Sequence, residues 1–214
     1  MAARFVVSGT DTGVGKTVFA AMLTLALGGT YFKPVQSGLE DETDTETVRR
    51  LTGLGTAHFR PEIYRLRTPA SPHLSAEMDG IEIDPARLAL PAADGPLIVE
   101  GAGGLLVPLT RRTLFIDVFA AWDVPVVLCA RTGLGGINHA LLSIEALRAR
   151  AIPLHGIAFI GDAMPDTERT IVELGGVRRL GRLPRLARLD GAALADAFAA
   201  HFRRSDFLAQ EGAR

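Results

Sequence analysis

Apolar positions along this chain fall in short dense runs separated by longer stretches of mixed polarity. The runs RFVVS (4–8), YFKPV (31–35), PLIVEGA (96–102), PVVLCA (125–130) and GIAFIG (156–161), with a stretch near VRRLG (177–181), read as strands. Several lack the alternation of a half-solvated strand, so both of their faces are expected to be covered. Between them, apolar residues recur at helical spacing over 16–27, 44–51, 114–122, 139–150, 166–174 and 192–203. Strand and helix in alternation predict right-handed crossovers, and hence an α/β fold with a mostly parallel sheet and helices on both faces. Ligands of such sheets bind beyond the carboxyl ends of the strands, which makes the residue after each strand a candidate for chemistry. The segment 68–91, with prolines at 69, 72, 85 and 91, predicts a long loop with one short helix, close enough to contribute to a site.

At 214 residues and 48% hydrophobic content the chain can bury one sizeable core, so a single domain over 1–214 is expected. Lys and Arg total 23 against 24 Asp and Glu, a balance that offers no global field to gather nucleic acid or an anionic membrane. Small molecules, or a second copy of the chain, fit better as partners. Apolar runs such as VPVVLCA (124–130) fall far short of the roughly 20 residues that span a bilayer. The opening MAARFVV lacks a signal-length apolar core and reads as a first strand, so a cytoplasmic protein is expected. Cys129 is the sole cysteine and sits at a strand end, where it reads as a small core residue. Arginines at 178, 179, 182, 185 and 188 have no aromatic interleaving and read as solvated charges.

Four strand ends carry chemistry. GTDTGVGKT (9–17) follows the first strand and opens the first helix, but its leading glycine is one residue earlier than the G-x-x-x-x-G-K-[ST] spacing requires. Gly9, Gly13 and Gly15 let backbone N–H groups turn inward around a phosphate, with the positive end of the helix behind them. Lys16 supplies a point charge for the outer phosphates, and the Thr17 hydroxyl can ligate Mg2+. Lys33 closes the second strand in YFKPVQSG, where it reads either as a solvated charge or as a cation aimed at the ligand edge; Ser37 and Gly38 read as a turn. Glu100 follows PLIV at the end of a central strand, a costly place for a carboxylate unless it is paired or metal-bound. Asp44, locally an ordinary first-turn helix acid, could complete an oxygen shell with it. In RTGLGGINHALL (131–142), a glycine-rich turn leads into a helix that Asn138 is placed to cap, and such a helix start can hold a carboxylate.

Taken in order, GTDTGVGKT, KPVQSG, ASPHLSA, VEGAGGLLVPL, GLGGINHALL and LGRLP resemble the dethiobiotin synthetase family, whose fold is that of the P-loop NTPases. The shifted glycine of the loop is that family's own form. The resemblance implies an ATP- and Mg2+-dependent cyclo-ligase that joins CO2 (or bicarbonate as its source) to 7,8-diaminopelargonate and closes the ureido ring of dethiobiotin, releasing ADP and phosphate. It implies that a substrate amine captures CO2 as a carbamate, that the carbamate attacks the γ-phosphate, and that the second amine displaces phosphate from the resulting anhydride. Negative charge grows on the carbamate and the phosphoryl oxygens, so such a site needs preorganised cations rather than a covalent nucleophile. By resemblance, Lys33 and Lys16 are the catalytic cations, Thr12, Ser37 and Asn138 touch substrate, and Thr17, Asp44 and Glu100 hold Mg2+. The nucleotide is implied to lie along Gly13, Val14, Gly15, Lys16, Thr17 and Val18 and along Glu100, Gly101, Ala102 and Gly103, with Pro184, Arg185 and Leu186 near adenine. A homodimer with substrate at the subunit interface is implied as well, Asn138 receiving the distal carboxylate from across it. The chain departs from some relatives by having Gly13 in place of an acid, and Ile160 and Gly161 where others carry a base-reading asparagine.

Two rival readings share the loop. Partitioning-type ATPase switches carry K-G-G-x-G-K-[ST], but the leading lysine position here is Asp11. Glutamine-dependent amide-forming enzymes need an additional glutaminase domain, for which this chain has no room.

Overall fold

The computed structural model describes residues 2–208. Its frame is a seven-stranded, wholly parallel sheet in the order β4-β2-β6-β1-β7-β8-β9. These strands are β1 (Arg4–Gly9), β2 (Thr30–Phe32), β4 (Phe59–Arg60), β6 (Leu97–Gly104), β7 (Val126–Arg131), β8 (Leu154–Ile160) and β9 (Arg179–Leu183). A separate two-stranded parallel sheet pairs β3 (Val35–Ser37) with β5 (Tyr64–Leu66). The helices are α1 (Lys16–Leu27), α2 (Asp44–Thr52), α3 (Pro72–Asp79), α4 (Phe115–Trp122), α5 (Gly136–Arg148), α6 (Pro165–Gly175) and α7 (Gly191–His201).

Side-chain alternation along the central strands sorts the core into two layers. Phe5, Val7, Ile98, Val127 and Cys129 pack with Phe19, Met22, Leu23, Leu51 and Phe198 on the side of α1, α2 and α7. Val6, Leu97, Val99, Val126 and Leu128 pack with Phe115, Phe119, Leu147 and Ile171 on the side of α4, α5 and α6. Each of these large side chains contributes about 1.5–3 kcal/mol by leaving water, and because both faces are buried the strands carry no polar alternation. The same parity positions the site. Ile98 faces α1, so Glu100 does too; Tyr31 follows the same rule on the neighbouring β2, and Lys33, just beyond that strand, reaches Glu100.

The expected single strand over 31–35 is in fact two. Pro34 has no N–H to give the ladder, and its carbonyl accepts from the backbone of Ile63 (2.9 Å) and Tyr64 (3.1 Å), which draws the chain out of the main sheet into β3. Lys33 stands at this break between sheets. Ser37, expected in a turn, is the last residue of β3, and the turn begins at Gly38 with φ of 85°. Strands β3, β4 and β5 have two or three residues each, too few to show a period. The helix expected over 139–150 starts at Gly136. Its N-cap is Gly135, at φ of 86°, and Asn138 lies inside the first turn without capping it. Gly136 can sit there because a Cβ would run into the Arg131 carbonyl. Of the arginines expected to be solvated, Arg178, Arg179, Arg185 and Arg188 are exposed and Arg182 is half-buried; each also pairs with an acid, Arg178 with Asp206, Arg179 and Arg182 with Glu168, Arg185 with Asp162, and Arg188 with Asp190. Cys129 is buried, and burial pushes its thiol well up. No helix among the described residues is long and apolar enough to cross a membrane.

Candidate functional site

The phosphate-type loop bridges β1 and α1. Gly9 is required sterically, since a Cβ there would lie 2.6 Å from Val14 Cγ1. Gly13 and Gly15 adopt φ of 66° and 105°, a region that side-chain-bearing residues rarely enter. Gly15 caps α1 with no side chain, so N–H groups of the first turn are left for a ligand. The buried Lys16 ammonium folds back to the Asp11 carbonyl at 3.0 Å. On the outer side of the loop, Arg131 Nη2 from the end of β7 donates to the carbonyls of Thr12 (3.3 Å) and Gly13 (2.9 Å). With those carbonyls held outward, the loop's N–H groups are free to face the other way.

Below the loop five polar side chains meet, from α1, α2, β2, β6 and the residue that follows β2. Thr17, at the start of α1, donates or shares its hydroxyl proton between Asp44 Oδ1 (3.0 Å) and Glu100 Oε1 (2.8 Å). Lys33 Nζ lies 2.5 Å from Asp44 Oδ2, 3.4 Å from Glu100 Oε1 and 3.3 Å from the Gly101 carbonyl. Tyr31 donates to Glu100 Oε2 at 2.8 Å. Asp44 opens α2, whose Thr43 cap closes a reciprocal box with Glu46, and the Asp44 N–H donates to Gln36 Oε1 at 3.3 Å. The cap and the Gln36 contact leave the Asp44 carboxylate free to turn inward.

Burial alone would lower the Lys33 pKa, but Glu100 and Asp44 outweigh it and hold the ammonium above its ordinary value. Burial works to raise Asp44, yet the charge and hydrogen bond of Lys33 keep its carboxyl below the usual range. Glu100 is pushed up, first by burial and also by the like charge of Asp44, against the pull of Lys33. All three of its side-chain neighbours are donors, so the geometry favours the carboxylate. Lys16 is drawn down by burial, with Glu100 opposing and Lys33 adding to the fall. Lys16 and Lys33 therefore feel each other through one cluster.

Three cavities border the loop, and two of them hold most of the residues that the sequence points to. One, of about 470 Å³, is lined by Thr12, Lys33, Ser37, Asp44, Ala102 and Gly103 together with Pro69–Pro72. Ser37 Oγ is buried and, among the described residues, has no hydrogen-bond partner. The other, of about 660 Å³, is lined by Gly13, Val14, Gly15, Val18, Pro184, Arg185 and Leu186, with Arg131, Ile160 and Gly161. Of the residues singled out in the sequence, Ala102 and Gly103 fall in the first cavity rather than beside the second, and the exposed Asn138 borders neither. Tyr31, Gln36 and Arg131 had not been singled out. Arg131 directly follows an apolar strand and the strand-end rule applies to it, whereas Tyr31 and Gln36 lie inside short strands and carry no local signal.

Thr17, Asp44 and Glu100 offer only hard oxygen donors, the set that suits Mg2+. Among the described residues there is no cluster of three or more His, Cys, Asp or Glu side chains, as sites that rely on water and phosphate for most of their ligands allow.

A family model described as an AAA domain matches residues 3–193. In overall fold the chain is similar to a ParA family ATPase from Chlorobium tepidum TLS (TM-score 0.53, 13% identity, 94% of this chain and 98% of that one). It is similar also to the cell division ATPase MinD of Pyrococcus furiosus (TM-score 0.51, 14% identity, 94% and 99%). In sequence it is 68% identical to the ATP-dependent dethiobiotin synthetase BioD of Rhodopseudomonas palustris strain TIE-1 and 65% identical to that of Agrobacterium fabrum, each match covering 97% of this chain and 98% of the relative. At that identity and coverage, with the shifted glycine of the loop and the lysine between two sheets both in place, the chain belongs to the ATP-dependent dethiobiotin synthetase family.

Proposed function

We propose that this protein closes the ureido ring of dethiobiotin from 7,8-diaminopelargonate, CO2 and ATP, working in the cytoplasm as a homodimer, with Lys33 as the central catalytic cation. The observation that carries this reading is the placement of the Lys33 ammonium. It is held by Asp44 and Glu100, stays protonated, and lines the cavity that Thr12 and Ser37 share. A carbamate entering that cavity gains a fixed positive charge without waiting for solvent to reorganise. The unpartnered Ser37 hydroxyl would gain its missing hydrogen bond from the same substrate. Lys16, adjacent to Thr17, shifts from the Asp11 carbonyl to the outer phosphates when nucleotide fills the loop. Gly13–Val18 and the wall formed by Pro184, Arg185 and Leu186 take the nucleotide.

Thr17, Asp44 and Glu100 would hold Mg2+, whose role is to neutralise charge on the phosphates. Two of these ligands, Asp44 and Glu100, are also the acids that lie against Lys33. Support for a dimer comes from exposed apolar side chains. Leu106 and Leu142 stand more than half exposed and border one small cavity, and Leu134 is fully exposed in the turn before α5. Asn138, exposed and four positions beyond Leu134, would receive the substrate carboxylate from across such an interface.

The test is incubation with diaminopelargonate, labelled bicarbonate and Mg-ATP, leaving out each component in turn, followed by mass analysis. One label retained per product and loss of product on omitting any component are expected. ATP hydrolysis that proceeds without the diamine would point instead to a nucleotide switch.

A further inference from the structure

Ser71 and His73 begin α3 at the wall of the cavity that Lys33 enters. Ser71 occupies the N-cap position, where a serine oxygen ordinarily accepts from a first-turn N–H, yet it makes no such bond. Its hydroxyl lies instead 3.0 Å from His73 Nδ1. Ser71 lines the cavity together with Thr12, Lys33, Ser37 and Asp44. His73 is fixed by its own backbone, whose N–H donates to the Pro108 carbonyl at 3.2 Å, and it remains only partly buried. The charged groups that face it are Glu77, one turn further along α3, and Arg111, which pairs with Glu77 at 2.7 Å; Lys33 and Asp44 lie across the cavity.

The proposed reaction must dispose of a proton when the carbamate forms. The amine lone pair makes the new C–N bond, one C=O π pair becomes a carboxylate lone pair, and an N–H proton has to leave. Asp44 and Glu100 are poorly placed to take it, since their oxygens are already committed to Lys33 and Thr17.

Resting on that reading of the function, we infer that Ser71 and His73 form a proton relay for carbamate formation. The substrate N–H proton passes to Ser71 Oγ as the Ser71 proton passes to His73 Nδ1; the N–H bonding pair stays on nitrogen as its new lone pair. The imidazolium then gives its extra proton to water. The relay requires the tautomer with the proton on Nε2. Ser71 is the catalytic residue, and His73, acting through it, is the positioning residue and proton acceptor.

The experiment uses the full chain with diamine, labelled bicarbonate and Mg-ATP, comparing wild type with His73→Asn, His73→Ala, Ser71→Ala and Ser71→Thr. His73→Asn keeps an acceptor for the serine but cannot take a proton. It is expected to lower kcat by about a hundredfold with KM for both substrates essentially unchanged. Added imidazole should restore part of the rate of His73→Ala but none of that of Ser71→Ala, while Ser71→Thr keeps most of it. Should a His73 variant fail to fold by circular dichroism, the two Ser71 variants carry the same comparison. A competent wild type beside His73 variants of equal rate would overturn the relay alone, as would a loss confined to KM or a His73→Ala rate that imidazole does not raise. A wild type that makes no product would overturn the proposed function, and the relay with it.

Discussion

Tyr31 donates its phenolic proton to Glu100 Oε2 at 2.8 Å, tying β2 to β6 inside the buried layer beneath the loop. This bond opposes the burial that pushes the Glu100 carboxyl up. Tyr31→Phe removes the donor and leaves a buried oxygen less well satisfied, so a loss of about 1–2 kcal/mol in stability is expected. The carboxyl should rise further, moving the acid limb of the kcat/KM profile to higher pH. Chemical denaturation and a pH series on the variant check both, and an unmoved limb would separate Glu100 from the ionisation that governs the rate.

If Lys33 has the proposed role, Lys33→Ala is expected to reduce turnover by about a hundredfold or more, because it removes the fixed charge proposed to face the growing anion. It also leaves the fully buried Glu100 beside Asp44 without its paired cation, with only the more distant Lys16 to offset them, which costs about 3–5 kcal/mol when one partner of a buried pair is deleted. Thermal melts should therefore fall together with activity. A second change, Glu100→Gln, should recover much of the stability but none of the turnover. If the double variant melts no higher than the single one, the ion pair is not what Lys33 contributes to the fold.

The central strands β6, β1, β7 and β8 are visible in the sequence because they are buried on both faces and read as apolar runs, whereas the two-residue edge strand β4 leaves no such trace. The loop is visible for a different reason: glycine spacing before a lysine and a threonine has few other uses. Glu100 stands out as an acid at the end of such a run. What the local pattern hides is pairing across distance. Tyr31 and Glu100 are separated by 69 positions, and Arg131 and Gly13 by 118, so neither contact leaves a periodic trace. The break after Lys33 is hidden as well, since YFKPV remains apolar through the point where Pro34 turns the chain into the second sheet. Asn138 misleads because two glycines before it can start a helix with no side-chain cap, which a search for capping residues overlooks.

Arg131 holds the carbonyls of Thr12 and Gly13 from outside the loop while bordering the cavity assigned to the nucleotide. Arg131→Met should let those peptides turn and scatter the N–H groups meant for phosphate. A rise of about tenfold in KM for ATP is expected, equivalent to about 1.4 kcal/mol, with the diamine KM little changed. Arg131→Lys should recover only part of this, since one ammonium cannot reproduce the flat guanidinium. Equal effects on the two KM values would show that the residue supports the fold at large rather than the loop.

His155 sits at the opposite end of the sheet, its ring 4.7 Å from that of Phe5 and 5.8 Å from that of Phe207. Nε2 lies 2.8 Å from the Asp206 carbonyl, an oxygen that can only accept, so the proton of the neutral ring is on Nε2. Burial lowers its pKa below 6.5, with the Asp206 carbonyl opposing and Arg178 adding to the fall. The unfolded chain therefore binds this proton more readily than the folded one. Stability on this account is complete above about pH 6.5 and declines as pH falls from there through the depressed folded value. His155→Gln keeps a donor near Asp206 but does not titrate. Melting temperatures measured between pH 8 and pH 5 should drop less steeply for the variant than for wild type, and parallel curves would mean that another group sets the acid sensitivity.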